Sequence, residues 1–218
     1  QNFSLMSATA APPAPPDFST LEIQHIFHLQ QQHQYAVART TAKQRIAKLR
    51  RLHDAMLRYR KEVAQAVWED LRKSETETNI SELGVVNGEI RHTIRNLRSW
   101  MTPKRVATPM ALFGSSSKIV YEPKGVCLVL SPWNFPFNLT FSPLISAIAA
   151  GNCVVLKPSE YAPASATLMK KIIGECFPPE EVALFEGDVV VAQELLKLPF
   201  NHVFFTGSPA VGKSVMRE

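Results

Sequence analysis

The sequence predicts an α/β fold, a helical N-terminal region followed by an open parallel sheet with helices on both faces, truncated before that sheet would be complete. Three observations predict it. Residues 20–103 keep apolar side chains at helical spacing, and residues 125–218 contain four short apolar runs, each ending in a polar or glycine-containing turn that leads into a helical pattern. Between them, residues 104–124 lose both periodicities. Strand–helix units in tandem pair in parallel, because the helix carries the chain back to the same end of the sheet.

Taken in order, residues 1–19 are Ala/Pro/Ser-rich, and Pro12-Pro13-Ala14-Pro15-Pro16 cannot form helix, so a disordered leader is expected. From Thr20 to Lys73, two or three helices fit: Ile46, Leu49, Leu52 and Met56 share one face, and Val63, Val67 and Leu71 another. Ser74-x-x-Glu77 and Asn79-x-x-Glu82 both resemble helix-start boxes, and Ile90, Ile94 and Leu97 continue a stripe to Trp100 that Pro103 ends. Residues 103–117 read as a loop and Lys118–Glu122 as a short strand. The central strand is expected at 125–131, with a helix near 138–150 stopped by Gly151-Asn152. Cys153–Leu156 is the second strand, 162–176 a helix, Val182–Phe185 the third strand and 189–198 a helix. His202–Thr206 is the fourth strand, and Gly207-Ser208 opens a last helix in which the sequence stops.

The chain has 218 residues, 45% of them hydrophobic, a formal charge of +5 and a pI near 9.2. Much of the basic excess lies between Arg39 and Lys73, but Asp54, Glu62, Glu69 and Asp70 interleave with it at helical spacing, which favours a solvated helix face over a nucleic-acid surface. Cys127, Cys153 and Cys176 show no metal-ligand spacing, and an odd number argues against a disulfide framework; no metal site is expected. No run of 18 apolar residues is present to span a membrane. A cytoplasmic location is the expectation.

The turns after the four strands share one edge of a parallel sheet, where ligands collect. The four turns are Ser131 to Asn134, Lys157 to Glu160, Glu186-Gly187-Asp188 and Thr206-Gly207-Ser208, and Asn134, Lys157, Glu160, Gly207 and Ser208 should converge. Pro132 and Pro136 stiffen the turn that carries Trp133, Asn134 and Phe135, so Asn134 is a presented amide. Lys157 and Glu160 supply a donor and an acceptor suited to a sugar diol, and glycine before a helix N-terminus suits a phosphate. A dinucleotide would use all of these. Each residue also has a plain reading: Lys157 as a surface lysine, Glu160 as a first-turn helix charge, Gly207-Ser208 and Asn134 as turn residues. Two other functions stay open. Gly207 to Ser214 satisfies the G-x-x-x-x-G-K-S phosphate-loop pattern, although Pro209 lacks an N–H such a loop would donate, and the basic helices could serve a non-catalytic interaction fragment.

At these residues the sequence resembles the aldehyde dehydrogenase superfamily: Ser131-Pro132-Trp133-Asn134-Phe135-Pro136, Leu156-Lys157-Pro158-Ser159-Glu160 and Phe205-Thr206-Gly207-Ser208 match three of its motifs in order. Asp70-Leu71-Arg72-Lys73 and the helix ending at Trp100 are similar to the class-3 branch that includes coniferyl aldehyde enzymes. The resemblance implies a Rossmann-like sheet over 125–218, a helical region over 20–103 and an oligomerisation-type hairpin at 104–124. It implies NAD or NADP as cofactor, an aldehyde as substrate and a homodimer in the full-length enzyme. It makes Asn134 the donor to the oxyanion formed when a cysteine thiolate attacks the aldehyde. Lys157 and Glu160 then hold the adenosine ribose, Ser208 the pyrophosphate, Ser131, Pro132 and Trp133 the cofactor cleft, and Thr206 and Gly207 the nicotinamide border. A thioester left after hydride transfer would be hydrolysed with a glutamate as base. The segments that carry that glutamate and the nucleophilic cysteine have no match here, so this chain is expected to be an inactive fragment of such an enzyme.

Overall fold

The computed structural model of the chain describes residues 20–218; the expected leader lies outside them. Five helical pieces come first: α1 (Thr20–Ala38), α2 (Ala42–Arg58), α3 (Arg60–Leu71), α4 (Glu75–Thr78) and α5 (Val85–Trp100). A π-helical turn, Asn79–Gly84, joins α4 to α5. Strands β1 (Lys104–Val106) and β2 (Ser117–Ile119) pair antiparallel as a small hairpin. Then come β3 (Val126–Leu130), α6 (Pro136–Ala150), β4 (Cys153–Lys157), α7 (Pro163–Cys176), β5 (Val182–Leu184), α8 (Val189–Leu196), β6 (His202–Phe205) and α9 (Pro209–Val215). The last four strands form one parallel sheet in the order β5-β4-β3-β6.

Alternation along the strands sends side chains to two apolar layers. Val129, Val154, Leu156, Val182 and Leu184 face α6 and α7, and behind those helices α2, α3 and α5 close the larger core. Leu128, Leu130 and Val155 face Ile23 of α1 with Val191 and Leu195 of α8, while Val126 and Cys153 meet Phe27 and Val37 of α1. The sheet is therefore covered on both faces, and α1 supplies part of the second cover. Gln30, fully buried, fixes α1 there by donating to Val154 O at 3.1 Å and Pro179 O at 3.0 Å.

Three helices occupy residues 20–71, where the periodicity allowed two or three. Ser74 does cap α4, accepting from the Glu77 N–H at 3.1 Å. The second box differs from expectation. Asn79 has helical angles (φ −62°, ψ −34°) within a continuous helix, and the Glu82 side chain points into the protein instead of back to a cap. The first hairpin strand falls at 104–106, where a loop was expected, and the second at 117–119, not 118–122. Strands of three mostly exposed residues offer no period to read. Helix α9 ends at Val215, with Met216 as its C-cap, before the sequence stops.

The basic stretch is partly absorbed by tertiary contacts. Arg45 is 5% exposed and donates to Ala149 O at the end of α6, to Ala38 O at the end of α1 and to Thr40 Oγ1, each within 3.0 Å. A cation suits the carbonyl ends of two helices. Lys48 pairs with Glu181 at 2.7 Å and Arg58 with Glu175 at 3.1 Å. Among the described residues, no helix is long and apolar enough to cross a membrane.

Helix α7 has no side-chain cap of its own, since Ala162 precedes it. Asp70 at the end of α3 provides one, its Oδ1 accepting from Ala164 N at 3.0 Å and its Oδ2 from Ser165 N at 2.8 Å. Removing such a cap costs about 0.5–2 kcal/mol. Asp70→Ala should lower the unfolding free energy by that amount in a urea titration, and an unshifted midpoint would show that the cap adds nothing to stability.

Candidate cofactor and active site

The sheet's carboxyl edge opens into a cleft of about 470 Å³. Its floor is the end of β3, Leu130 and Ser131 followed by Pro132 and Trp133. One wall carries Lys157, Ser159, Glu160 and Tyr161 after β4, and the other carries Phe205, Thr206, Gly207 and Ser208 after β6. All eight residues that the sequence assigned to a cofactor (Ser131, Pro132, Trp133, Lys157, Glu160, Thr206, Gly207 and Ser208) line this one cleft. Parallel pairing explains the gathering, because β4 and β6 flank β3 and end level with it: Leu130 is opposite Lys157 on one side and Phe205 on the other.

Ser131 is buried, its hydroxyl sharing a 2.6 Å hydrogen bond with Thr140 and its N–H donating to Lys157 O at 3.2 Å. Trp133 stands half exposed at the mouth. Lys157 is 5% exposed, with Nζ 3.2 Å from Glu160 Oε2. Burial pulls the ammonium below its ordinary pKa, and the Glu160 carboxylate opposes that shift. The lysine is thus a recessed donor held by one partner. A third, apolar side of the cleft comes from Val189, Ala192 and Leu196 of α8 with Val211 and Val215 of α9. Sequence reasoning missed that wall. The i, i+3, i+7 spacing of Val189, Ala192 and Leu196 carried the signal, which read only as a helix face.

Gly207 sits where the Phe205 ring folds back, so a Cβ there would lie 2.4 Å from the ring. The phosphate-loop reading does not fit the geometry. Such a loop wraps its backbone before the helix begins, whereas here the helix already starts at Pro209 and Ser208 caps it, accepting from Val211 N at 3.3 Å.

Asn134 lies on the same turn but outside the cleft lining, exposed, between Trp133 and Phe135. Phe135 (φ −138°, ψ 72°) lies outside the helical region, which the following proline disfavours, and Pro136 opens α6 at its first turn. The Asn134 carbonyl accepts from Lys73 Nζ, which also sits 3.7 Å from the Phe135 ring centroid and 3.3 Å from Glu82 Oε1. Glu82 is fully buried and its Oε2 accepts from Asn138 N at 2.9 Å. Burial pushes its carboxyl pKa up, while the Asn138 N–H and Lys73 pull it back. Neither Lys73 nor Glu82 was assigned to the site from sequence.

The sequence profile of the aldehyde dehydrogenase family matches residues 15–218. The chain belongs to the aldehyde dehydrogenase family. It is 42% identical over 195 residues to a putative aldehyde dehydrogenase, AldX, of Bacillus subtilis, covering 89% of this chain and 44% of that protein. A probable coniferyl aldehyde dehydrogenase of Caulobacter vibrioides is 41% identical over 181 residues, covering 81% and 37%. Human aldehyde dehydrogenase family 3 member B1 is 42% identical over 151 residues, covering 69% and 32%. The solved structure of Staphylococcus aureus AldH in a substrate-bound state superposes with a TM-score of 0.87 at 36% identity, covering 89% of this chain and 43% of that one. The chain thus spans less than half the length of these relatives.

The three cysteines are all buried. Burial raises the pKa of Cys127 to about 11 and of Cys153 to about 12, and raises that of Cys176. At pH 8 the thiolate fraction of the first two is about one in a thousand or less, too small for ready nucleophilic attack. Native protein at pH 8 should therefore resist iodoacetamide at Cys127 and Cys153, with both labelled once urea unfolds the chain. Rapid labelling of either in the folded state would contradict the burial.

Proposed function

We propose that this chain binds NAD or NADP in the cleft at the sheet's carboxyl edge and presents Asn134 to an aldehyde, as part of an enzyme that oxidises the aldehyde to a carboxylic acid. The observation that carries the reading is the cleft itself, in which a buried lysine paired with an exposed carboxylate and a glycine-containing strand–helix turn line opposite walls beside an apolar side. Its volume lies in the range of small-molecule sites, which combine apolar walls with a few fixed polar groups. The residues present fit a dinucleotide. Lys157 Nζ can donate to a ribose hydroxyl while Glu160 accepts from the neighbouring one, and the Val189, Ala192 and Leu196 side can take an adenine face. The nicotinamide cofactor, when bound, supplies the hydride acceptor.

Asn134 acts on charge. An amide N–H held by a proline-flanked turn can meet negative charge developing on the aldehyde oxygen without having to reorganise. The buried Ser131–Thr140 hydrogen bond fixes the end of β3 between the two functions. A homodimer of the complete enzyme, which the motif resemblance implies, and a cytoplasmic location, which the unpaired cysteines suggest, remain part of the proposal.

Trp133 gives a direct test. Titration with NAD should quench its fluorescence saturably, with the same dissociation constant in magnesium and in EDTA, and Trp133→Phe should remove most of the signal change. Magnesium-dependent binding of ATP without NAD binding would overturn the reading. Glu160→Gln should shift relative affinity toward NADP, because a carboxylate beside the ribose repels a 2′-phosphate; an unchanged NADP/NAD ratio would place Glu160 away from the ribose. In an active aldehyde dehydrogenase that contains this chain, Asn134→Ala should lower kcat roughly a hundred- to a thousandfold and leave NAD affinity nearly unchanged. Loss of NAD affinity with normal turnover at saturation would make Asn134 a turn residue only.

A further inference from the structure

The turn that carries Asn134 is held from outside its own strand–helix unit. Helix α6 lacks a side-chain cap, because the residue before it is Phe135. Glu82 takes that place from another part of the chain, accepting from Asn138 N at 2.9 Å, and Asn138 Nδ2 in turn donates to Ser81 O at 3.2 Å. Glu82 can do so because it lies on the π-helical turn of Asn79–Gly84, whose wider winding differs from that of the helices on either side. That turn depends on a glycine: a Cβ on Gly84 would sit 2.9 Å from Asn79 O.

A cap for α6 would need Glu82 alone. Lys73, however, bridges from Glu82 Oε1 to the Asn134 carbonyl and lies over the Phe135 ring. One ammonium thus contacts two successive residues of the turn, from a side chain only 13% exposed. Charge-assisted hydrogen bonds and a close cation–ring contact resist displacement more than neutral contacts do. Pro132 and Pro136 stiffen the turn from its two ends, but neither sets the φ and ψ of Asn134 itself. The ammonium acts on the peptide that bears Asn134.

We propose that Lys73 and Glu82 are positioning residues, with Glu82 seating the start of α6 and Lys73 fixing the Asn134 peptide so that its side-chain amide keeps one orientation. The inference deepens the reading of Asn134 as an oxyanion donor and rests on it for its catalytic meaning. It predicts that the two residues separate in their effects. Removing Lys73 frees the turn while α6 stays seated, and disturbing the π turn frees both.

The test is backbone and side-chain ¹⁵N relaxation on the 218-residue chain. In the parent, the Asn134 and Phe135 amides should have order parameters near 0.85, as in rigid backbone, and in Lys73→Met they should fall below about 0.6. Lys73→Arg should keep them near the parent value. Amide exchange of Asn138 should stay within about twofold of the parent in Lys73→Met, and should rise roughly ten- to a hundredfold in Gly84→Ala, which displaces Glu82. Unchanged order at Asn134 and Phe135 in Lys73→Met, or a loss of order spread evenly through β4 and α7, would overturn the proposal. NAD titration of the same samples separates the two readings. Loosening of the turn in a chain whose parent binds no NAD leaves the positioning intact and removes the cofactor reading, whereas NAD binding with a turn indifferent to Lys73 does the reverse.

Discussion

Burial of β3 on both faces is the constraint from which the other features follow. Val126, Leu128 and Leu130 are covered by α1 and α8, and Val129 by α6 and its neighbours, while β4 and β6 take the hydrogen bonds of its two edges. A strand enclosed in this way has no polar group to offer along its length. Its contact with ligands has to come at its carboxyl end, and the flanking strands end at the same level because parallel pairing keeps them in register. The cleft is therefore a product of topology before it is a product of particular side chains.

A second regularity concerns how the crossover helices begin. Helices α8 and α9 are capped by residues just before them, Asp188 and Ser208. Helices α6 and α7, which flank the deepest part of the sheet, start at Pro136 and Pro163 without local side-chain caps. Both receive carboxylates from the helical region instead, Glu82 for α6 and Asp70 for α7. Exposed helix-start N–H groups in a buried setting are costly if unpaired, so the two acids bind the helical region to the sheet where its turns form the site. With Gln30 and Arg45, they make residues 20–103 a scaffold for the cleft.

What was legible in the sequence was local. Val126–Leu130 and Cys153–Leu156 are apolar runs bounded by Pro or Gly, which only a buried strand explains, and strand-end turns in a parallel sheet must share an edge. Lys157, Glu160 and Gly207 are therefore expected together from the sequence alone. The illegible parts depend on distant partners. Glu82 had the spacing of a cap box from Asn79, and only the π turn and the nearness of Asn138 show that it faces inward. Lys73 belonged to a charged helix face until its ammonium met Asn134. The α1 helix carries apolar residues at ordinary spacing, and nothing in that spacing says that they cover Val126 and Leu128.

Strand β6 has one further consequence. It is an edge strand of the parallel sheet, four residues long, and Val203 and Phe204 on it are 36% and 42% exposed. Its outer row of peptide groups is a template for another strand, and its side chains offer apolar area to whatever pairs there. The element that leads into Thr206 at the cleft thus carries unpaired peptide groups along one side, and a strand that paired there would sit beside the lip of the ligand site.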